Sequence, residues 1–264
     1  MGGLIKLSNK INIRLFNDDC FNILPRLIEE KVKVDMVFVD LPYGETGNQW
    51  DKQINNYELM FQYLEELITE EGAILFFASF KFGTILYNTR PDLYKYEWIW
   101  VKDNGTNVPS VNYQPFRNHE YIYVYGKGRV SNGKRTPMKY YPQKTKGKPY
   151  TSKSGSTSTN YKGGLPTNFT TINKGDRHPK TIQYFKRDKT RYHPTQKPIK
   201  LLEYYIQTYT DENDTVLDFT MGSGSTGIAC QNLNRNFIGI ELNKDYYTIT
   251  EKRLKENKKQ TRII

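Results

Sequence analysis

"DFTMGSGSTGIACQNL", residues 218–233, decides how this chain folds. The residues before it, "DTVLDFT", read as a strand. Gly222-Ser223-Gly224-Ser225-Thr226-Gly227 then spells G-x-G-x-x-G, and the following residues read as a helix. A further strand, "NFIGIEL", ends at Glu241, 19 residues after Gly222. Strand, glycine turn, helix and strand in that order predict a parallel βαβ unit.

Glycines let a backbone approach a ligand closely, and an acid about 20 residues further on can bind ribose hydroxyls. Three readings follow: a dinucleotide site, an S-adenosylmethionine site, or a tight strand-to-helix turn with no ligand. A P-loop is excluded, because no lysine follows the glycines. About 20 residues remain after Glu241, too few for the second strand–helix half that a dinucleotide fold needs. The rest of the sheet must precede the glycine turn, an unusual order for a dehydrogenase.

Upstream, "FVDLPYGE", residues 38–45, ends the buried strand that begins at Val34. It presents a carboxylate, a rigid proline and an aromatic ring within four residues, Asp40 to Tyr43. "INIRLFNDDCFNIL" reads as a strand, a turn at Asn17-Asp18-Asp19 and a helix start. "NNYELMFQYLEELITEEG" reads as a helix, with Leu59, Met60, Tyr63, Leu64, Leu67 and Ile68 at helical spacing and Gly72 near its end. "AILFFAS" reads as a buried strand, and "YEWIWVK" and "EYIYVYGKG" as antiparallel or edge strands. In "HPTQKPIKLLEYYIQTYT", Pro198 marks a helix start. Strands alternating with helices predict a mostly parallel sheet covered on both faces.

The chain has 264 residues, 37% of them hydrophobic, and a formal net charge of +11. No apolar run approaches the roughly 20 residues of a membrane span, and the N-terminus does not read as a secretory signal. Cys20 and Cys230 form neither a disulfide framework nor a zinc site. A cytoplasmic protein with no membrane partner is the expectation. Residues 126–200 hold 19 lysines and arginines against Asp176 and Asp188, so this segment carries all the excess positive charge. Tyr140, Tyr141, Tyr150, Tyr161, Phe169, Tyr184, Phe185 and Tyr192 are interleaved with it. Bases and aromatics together suit phosphate contact and base stacking, which points to nucleic acid; the alternative is a solvated lysine-rich loop region. "TSKSGSTSTNYKGG", residues 151–164, is flexible by composition.

Taken in order, these motifs resemble the DNA amino-methyltransferases in the arrangement called the beta class. There the catalytic motif comes first, a target-recognition region next and the glycine motif last. "LFNDDCFNIL" resembles the segment around the cofactor adenine, matching at Asp19 and Cys20. "DLPY" resembles the catalytic motif, usually Asp-Pro-Pro-Tyr, with Leu41 in place of the first proline; Trp50-Asp51 resemble residues that often follow it. "HPTQKP" resembles the segment before the helix that closes one side of the cofactor pocket. "DFTMGSGST" and "FIGIEL" resemble the cofactor loop and the ribose-binding acid. Thr220 stands where a phenylalanine often packs, with Phe219 one residue earlier.

The resemblance implies a Rossmann-like α/β methyltransferase fold, with a seven-stranded, mostly parallel sheet, helices on both faces and circularly permuted motifs. Residues 1–125 would form the catalytic part of the core, 126–192 a basic target-recognition insert, and 193–264 the cofactor-binding part. It implies catalysis by Asp40, Leu41, Pro42 and Tyr43. S-adenosylmethionine would be bound by Asp19, Cys20, Asp40, Thr195, Lys197, Asp218, Thr220, Gly222, Ser223, Gly224, Ser225, Thr226 and Glu241, without a metal. The expected reaction is adenine N6 methylation of double-stranded DNA on a flipped-out base. Cytosine N4 methylation and a catalytically idle DNA-binding protein on this fold are the alternatives. A homodimer and a cognate restriction endonuclease are the further partners the resemblance admits. A cytosine ring-carbon enzyme is disfavoured, because that chemistry needs a nucleophilic cysteine beside a proline. His119 and His193 read as packing residues.

Overall fold

The structure, a computed structural model, describes residues 3–6, 11–44, 47, 54, 56–153 and 170–261. Its N-terminal elements are β1 (Gly3–Lys6), β2 (Asn12–Phe16), α1 (Cys20–Glu29), β3 (Val34–Asp40), α2 (Tyr57–Leu67), β4 (Ile68–Ala78) and α3 (Phe80–Thr89). There follow β5 (Tyr94–Val101), β6 (His119–Tyr125), β7 (Thr145–Lys146), β8 (Tyr150–Lys153), β9 (Thr170–Asn173), β10 (Asp176–Arg177) and β11 (Ile182–Tyr184). The chain closes with α4 (Ile199–Tyr209), β12 (Thr215–Asp218), α5 (Ser225–Asn232), β13 (Asn236–Ile240) and α6 (Lys244–Thr261).

Among the described residues the main sheet has nine strands in the order β1-β2-β13-β12-β3-β4-β6-β5-β11. The seven-stranded expectation is therefore corrected. Two short edge strands extend it: β1 pairs antiparallel with β2, and β11 pairs parallel with β5. Strands β2, β13, β12, β3 and β4 run parallel, whereas β6 is antiparallel to both β4 and β5. The aromatic alternation of "YEWIWV" and "EYIYVY" suits such an antiparallel pair.

Period-2 alternation splits the core across the sheet. Met36 and Phe38 of β3 face the helices α4, α5 and α6, where Leu201, Tyr205, Ile228 and Leu254 are buried with them. Val37 and Val39 face α1, α2 and α3, where Leu24, Leu64 and Phe82 meet them. The α2 helix ends at Leu67, earlier than its periodicity suggests. Ile68 is extended (φ −72°, ψ 138°) and pairs with Val34, so "ITEEG" belongs to β4. Strand pairing outweighs one further helical turn here.

The chain divides into two compact units, Met1–Tyr141 with Thr181–Ile264, and Pro142–Lys180. Within the basic segment 126–192, Met138 is buried in the core of the larger unit, and the Lys139 ammonium donates to Asp214 at 2.6 Å. The smaller unit contains two antiparallel ribbons, β7–β10 and β8–β9. Gly175 (φ +104°) turns between β9 and β10, and its N–H donates to Asn173 Oδ1 at 2.8 Å. The Arg177 guanidinium lies 4.9 Å from the Tyr150 ring centroid. Of the stretch 151–164, Thr151–Lys153 belong to β8; the remainder lies outside the described residues, as do Trp50 and Asp51. Among the described residues no helix is long and apolar enough to cross a membrane.

Candidate active site

Parallel pairing of β12 with β3 and β13 brings the carboxyl ends of three strands together, where doubly wound sheets place their ligands. Asp218 ends β12, Asp40 ends β3, and Glu241 follows β13.

The glycine turn is anchored from several sides. The Gly222 N–H donates to Glu241 Oε2 at 2.9 Å, and Asn243 N–H donates to the other oxygen of that carboxylate at 2.8 Å. Thr250 Oγ1 donates to the Gly222 carbonyl at 2.8 Å, and Arg253 donates to Ser223 Oγ at 3.1 Å. Burial raises the Glu241 carboxyl above its ordinary range, against the pull of these backbone N–H groups. Burial pushes Asp218 up to about 7, with hydrogen bonds from Thr226 and the Thr220 N–H opposing and the charges of Asp40 and Glu241 assisting.

The first two glycines of the motif do different jobs. Both have left-handed φ, +50° at Gly222 and +78° at Gly224. A Cβ on Gly222 would meet nothing within 4 Å, so its backbone borders open space. A Cβ on Gly224 would lie 2.5 Å from Thr250 Cγ2. Gly224 therefore serves close packing of the turn on α6, and it is the one expected cofactor residue that does not line the cavity.

The turn after β3 is joined to the glycine turn: Thr220 Oγ1 donates to the Asp40 carbonyl at 3.1 Å. Tyr43 OH donates to Asp40 Oδ1 at 3.0 Å, and its ring stacks on Phe82 at 4.9 Å. Asp40 Oδ2 accepts from Lys197 Nζ at 2.5 Å. The same ammonium lies 3.3 Å from Glu120 Oε2 and 4.7 Å from the Phe77 ring centroid. Glu120 Oε1 accepts from Lys102 Nζ. Four alternating charges thus form one chain: Asp40, Lys197, Glu120, Lys102. Burial raises the Asp40 carboxyl against the opposing pull of Lys197. Burial alone would lower the Lys197 ammonium, but Asp40 and Glu120 hold it above the ordinary lysine range. Glu120 sits below its ordinary value, because Lys197 and Lys102 outweigh its burial.

One cavity of about 1170 Å³ is lined by every other expected site residue: Asp19, Cys20, Asp40, Leu41, Pro42, Tyr43, Thr195, Lys197, Asp218, Thr220, Gly222, Ser223, Ser225, Thr226 and Glu241. Asp19 also caps α1, accepting from the Phe21 N–H at 2.8 Å. Burial pushes the Cys20 thiol up to about 12, which leaves no thiolate for nucleophilic chemistry. His193 lines the cavity and accepts from the Thr195 N–H at 3.2 Å, and burial, aided by the charge of Lys197, lowers its imidazole below the ordinary histidine value. His119 stacks edge-on against Tyr121 at 5.4 Å.

Sequence reasoning missed Glu120, Lys102, Trp100 and Gln196, all on the cavity wall. A signal for Glu120 existed: it is a lone carboxylate opening an aromatic strand, directly opposite Trp100 in β5. Gln196 Oε1 accepts from Ser223 Oγ at 3.3 Å, which ties the "HPTQKP" segment to the glycine turn.

The chemistry of this wall discriminates between ligands. Glu241, after β13, suits ribose hydroxyls of either ligand, whereas the buried Asp218 carboxyl beside the glycine turn would oppose the negative charge of a diphosphate there. Carboxylates there suit hydroxyl groups and a cationic centre. Among the described residues no group of acids, histidines and cysteines could hold a metal ion.

Residues 34–252 match the N6_N4_Mtase family, the DNA methylases, and the chain belongs to that family. It is similar to the type II methyltransferase M.HpaI of Haemophilus parainfluenzae, 28% identical over 255 residues that cover 89% of this chain and 73% of that protein. It is also similar to the orphan methyltransferase M.BamHII of Bacillus amyloliquefaciens, 26% identical over 239 residues, 84% of this chain and 89% of the relative. The crystal structure of an M1.HpyAVI–SAM complex superposes with a TM-score of 0.62 at 27% identity, covering 92% of this chain and all of the other. The mixed, mostly parallel sheet with flanking helices is that of S-adenosylmethionine-dependent methyltransferases.

Proposed function

We propose that this protein transfers a methyl group from S-adenosylmethionine to the N6 amine of an adenine flipped out of duplex DNA. The observation that carries the reading is the junction of the two turns, where Thr220 holds the Asp40 carbonyl and both turns border one cavity. S-adenosylmethionine, when bound, supplies an electrophilic methyl group on a sulfonium centre. Glu241 and Asp19 would hold its ribose and adenine, the open backbone of Gly222 would admit it, and Asp218 offers a negative charge to the cation. The circular permutation, with "DLPY" preceding the glycine motif, belongs to the same proposal.

An aromatic amine is a poor nucleophile because its lone pair is delocalised into the ring. Two acceptors on its hydrogens, the Asp40 carboxylate and the Leu41 carbonyl, favour a pyramidal nitrogen with its lone pair out of the ring plane. Pro42 restricts the backbone that presents these acceptors. Tyr43 steadies Asp40 through its hydroxyl and offers a ring for stacking, worth roughly 1–3 kcal/mol for a base. The N–C bond would form as the methyl–sulfur bond of the sulfonium breaks to leave a neutral thioether, and the amine would pass one proton to the Asp40 carboxylate that accepts from it. Preorganised acceptors supply much of the rate in such a site. Flipping costs a few kcal/mol, and the basic segment 126–192 would recover it through phosphate contacts.

Asp at the first motif position favours adenine, since serine usually accompanies cytosine in proteins of the resembling kind. Incubation of duplex DNA with labelled S-adenosylmethionine, followed by nucleoside mass spectrometry, tests the assignment. N6-methyladenine is the expected product. N4-methylcytosine would replace the target base, and no methylated nucleoside would overturn the reading.

A further inference from the structure

Lys197 occupies the oxygen of Asp40 that an incoming amine would need. Its Nζ lies 2.5 Å from Asp40 Oδ2 and 3.3 Å from Glu120 Oε2. Glu120 Oε2 is buried and, among the described residues, has no hydrogen-bond partner of good geometry, while Lys102 holds the other oxygen. A buried carboxylate oxygen without a hydrogen bond is costly. Here its close cation, the Lys197 ammonium, sits nearer to Asp40 than to it.

We propose that Lys197 is a two-position switch and that Glu120 is its second seat. This rests on the reading of Asp40 as the acceptor for the target amine. In the free protein Lys197 neutralises Asp40. When the amine arrives, the ammonium shifts to Glu120 Oε2 and frees Asp40 Oδ2. The electrostatics require this direction. Methyl transfer builds positive charge on the amine nitrogen, and an ammonium left on Asp40 would weaken the carboxylate that stabilises it. Transfer to Glu120 keeps the lysine paired throughout, and Asp40, left without its cation, has the hydrogens of the target amine and the Tyr43 hydroxyl as donors. Lys102 fixes the Glu120 carboxylate, and Tyr43 keeps Asp40 oriented during the exchange. Glu120 is thus a positioning residue that acts through Lys197.

Single-turnover methyl transfer to unmethylated duplex DNA is compared for wild type, Glu120→Gln, Lys197→Gln and the double variant. Glu120→Gln is expected to slow transfer about tenfold or more while DNA and cofactor affinities hold within about twofold, because the lysine then has no second seat. Glu120→Asp, which keeps the charge, should recover part of the rate. The double variant should be no slower than Lys197→Gln alone, since without the ammonium no seat is needed. Multiplicative losses in the double variant, or a wild-type rate in Glu120→Gln, would overturn the switch. A second readout is independent of turnover. The 15N signal of Lys197 Nζ, assigned by its loss in Lys197→Gln, should move on addition of duplex DNA in wild type and stay fixed in Glu120→Gln. An unmoved wild-type signal in the DNA complex refutes the switch. A moved signal without methyl transfer retains it and refutes the catalytic reading.

Discussion

The Thr220 hydroxyl donates to the main-chain carbonyl of Asp40 at 3.1 Å, across 180 residues of sequence. It joins the glycine turn after β12 to the turn after β3, both of which border the cavity. Thr220→Val keeps the shape and removes the bond. The carbonyl loses a neutral hydrogen bond, so stability should fall by about 1 kcal/mol. Transfer should slow about tenfold if the bond sets the separation of the two turns. Chemical denaturation with single-turnover kinetics checks both; an unchanged rate would show that the turns hold their spacing without this bond.

Asp40→Asn should lower methyl transfer by about a hundredfold or more, with cofactor affinity changed only severalfold, because one acceptor becomes a mixed donor and acceptor. Asp40→Ala should lose activity too; both variants remove the negative half of the ion pair, but alanine also removes the side-chain volume and the acceptor oxygen that asparagine keeps for Lys197 and Tyr43. Its stability should fall further than that of Asp40→Asn, by up to roughly 3 kcal/mol, with Glu120 moderating the loss. Thermal unfolding separates the two variants. Near-normal turnover in Asp40→Asn would exclude the acceptor role.

The glycine turn offers a sharper contrast than its sequence pattern does. Gly224→Leu should destabilise the fold, since its Cβ would meet Thr250 at 2.5 Å in a backbone conformation of φ +78°. Gly222→Ala places a methyl group in open space, at φ +50°, and should cost about 1–2 kcal/mol from backbone strain alone. The separate effect to measure is on binding: calorimetry should show Gly222→Ala weakening S-adenosylmethionine out of proportion to its change in Tm. Equal affinity in wild type and Gly222→Ala would remove that backbone from the cofactor site.

Asp218 gives the site a pH signature. Its carboxyl is raised from 3.8 to about 7, so the folded free protein keeps a proton that the unfolded chain has already released. Stability of the free protein should therefore fall as pH rises from about 4 to about 7, and this contribution should level off above that window. Asp40 and Glu241 are raised in the same direction and add to the slope. His193 is lowered and opposes it below about pH 6.5. A bound cation favours the ionised carboxylate, so S-adenosylmethionine affinity should rise with pH towards 7, by at most about tenfold per unit for this one group. Asp218→Asn should flatten both profiles. Calorimetry and thermal unfolding between pH 5 and 8 measure them, and a slope unchanged in Asp218→Asn would assign the titration to another group.

Local chemistry made much of the site legible. Glycines at positive φ, a proline after a strand and apolar periodicity act over a few residues, so the two turns and the elements around them could be read directly. Their meeting could also be anticipated, because parallel strands put their carboxyl ends at one edge. For Glu120 the strand pattern marked the residue but not its partner. It reaches Lys197 only because β6 is inserted antiparallel between β4 and β5, a choice of strand order with no local signature. The end of α2 failed for the opposite reason: Ile68 continues the helical period but gains more by pairing with Val34. β11 is three residues long and exists as a strand only through its neighbour β5. The packing role of Gly224 depends on Thr250 of α6, which the motif does not contain.

DNA affinity should follow the basic segment. Residues 142–180 contain eight lysines and arginines and one acid, Asp176. Lys144, Lys148 and Lys153 are exposed. Each phosphate neutralised in B-DNA contributes a slope of about −0.9 to the dependence of log affinity on log salt. Replacing Lys144, Lys148 and Lys153 together by glutamine should therefore reduce the magnitude of that slope by up to about 2.7, if each touches a phosphate. Affinity should weaken similarly on unrelated sequences, since phosphate contacts carry no base information. The product nucleoside should stay the same, because none of the three lines the cavity. Fluorescence anisotropy on a labelled duplex between about 50 and 200 mM salt gives the slope. A triple variant with the wild-type slope would place the DNA elsewhere on the protein while leaving the assignments of Asp40 and the glycine turn intact.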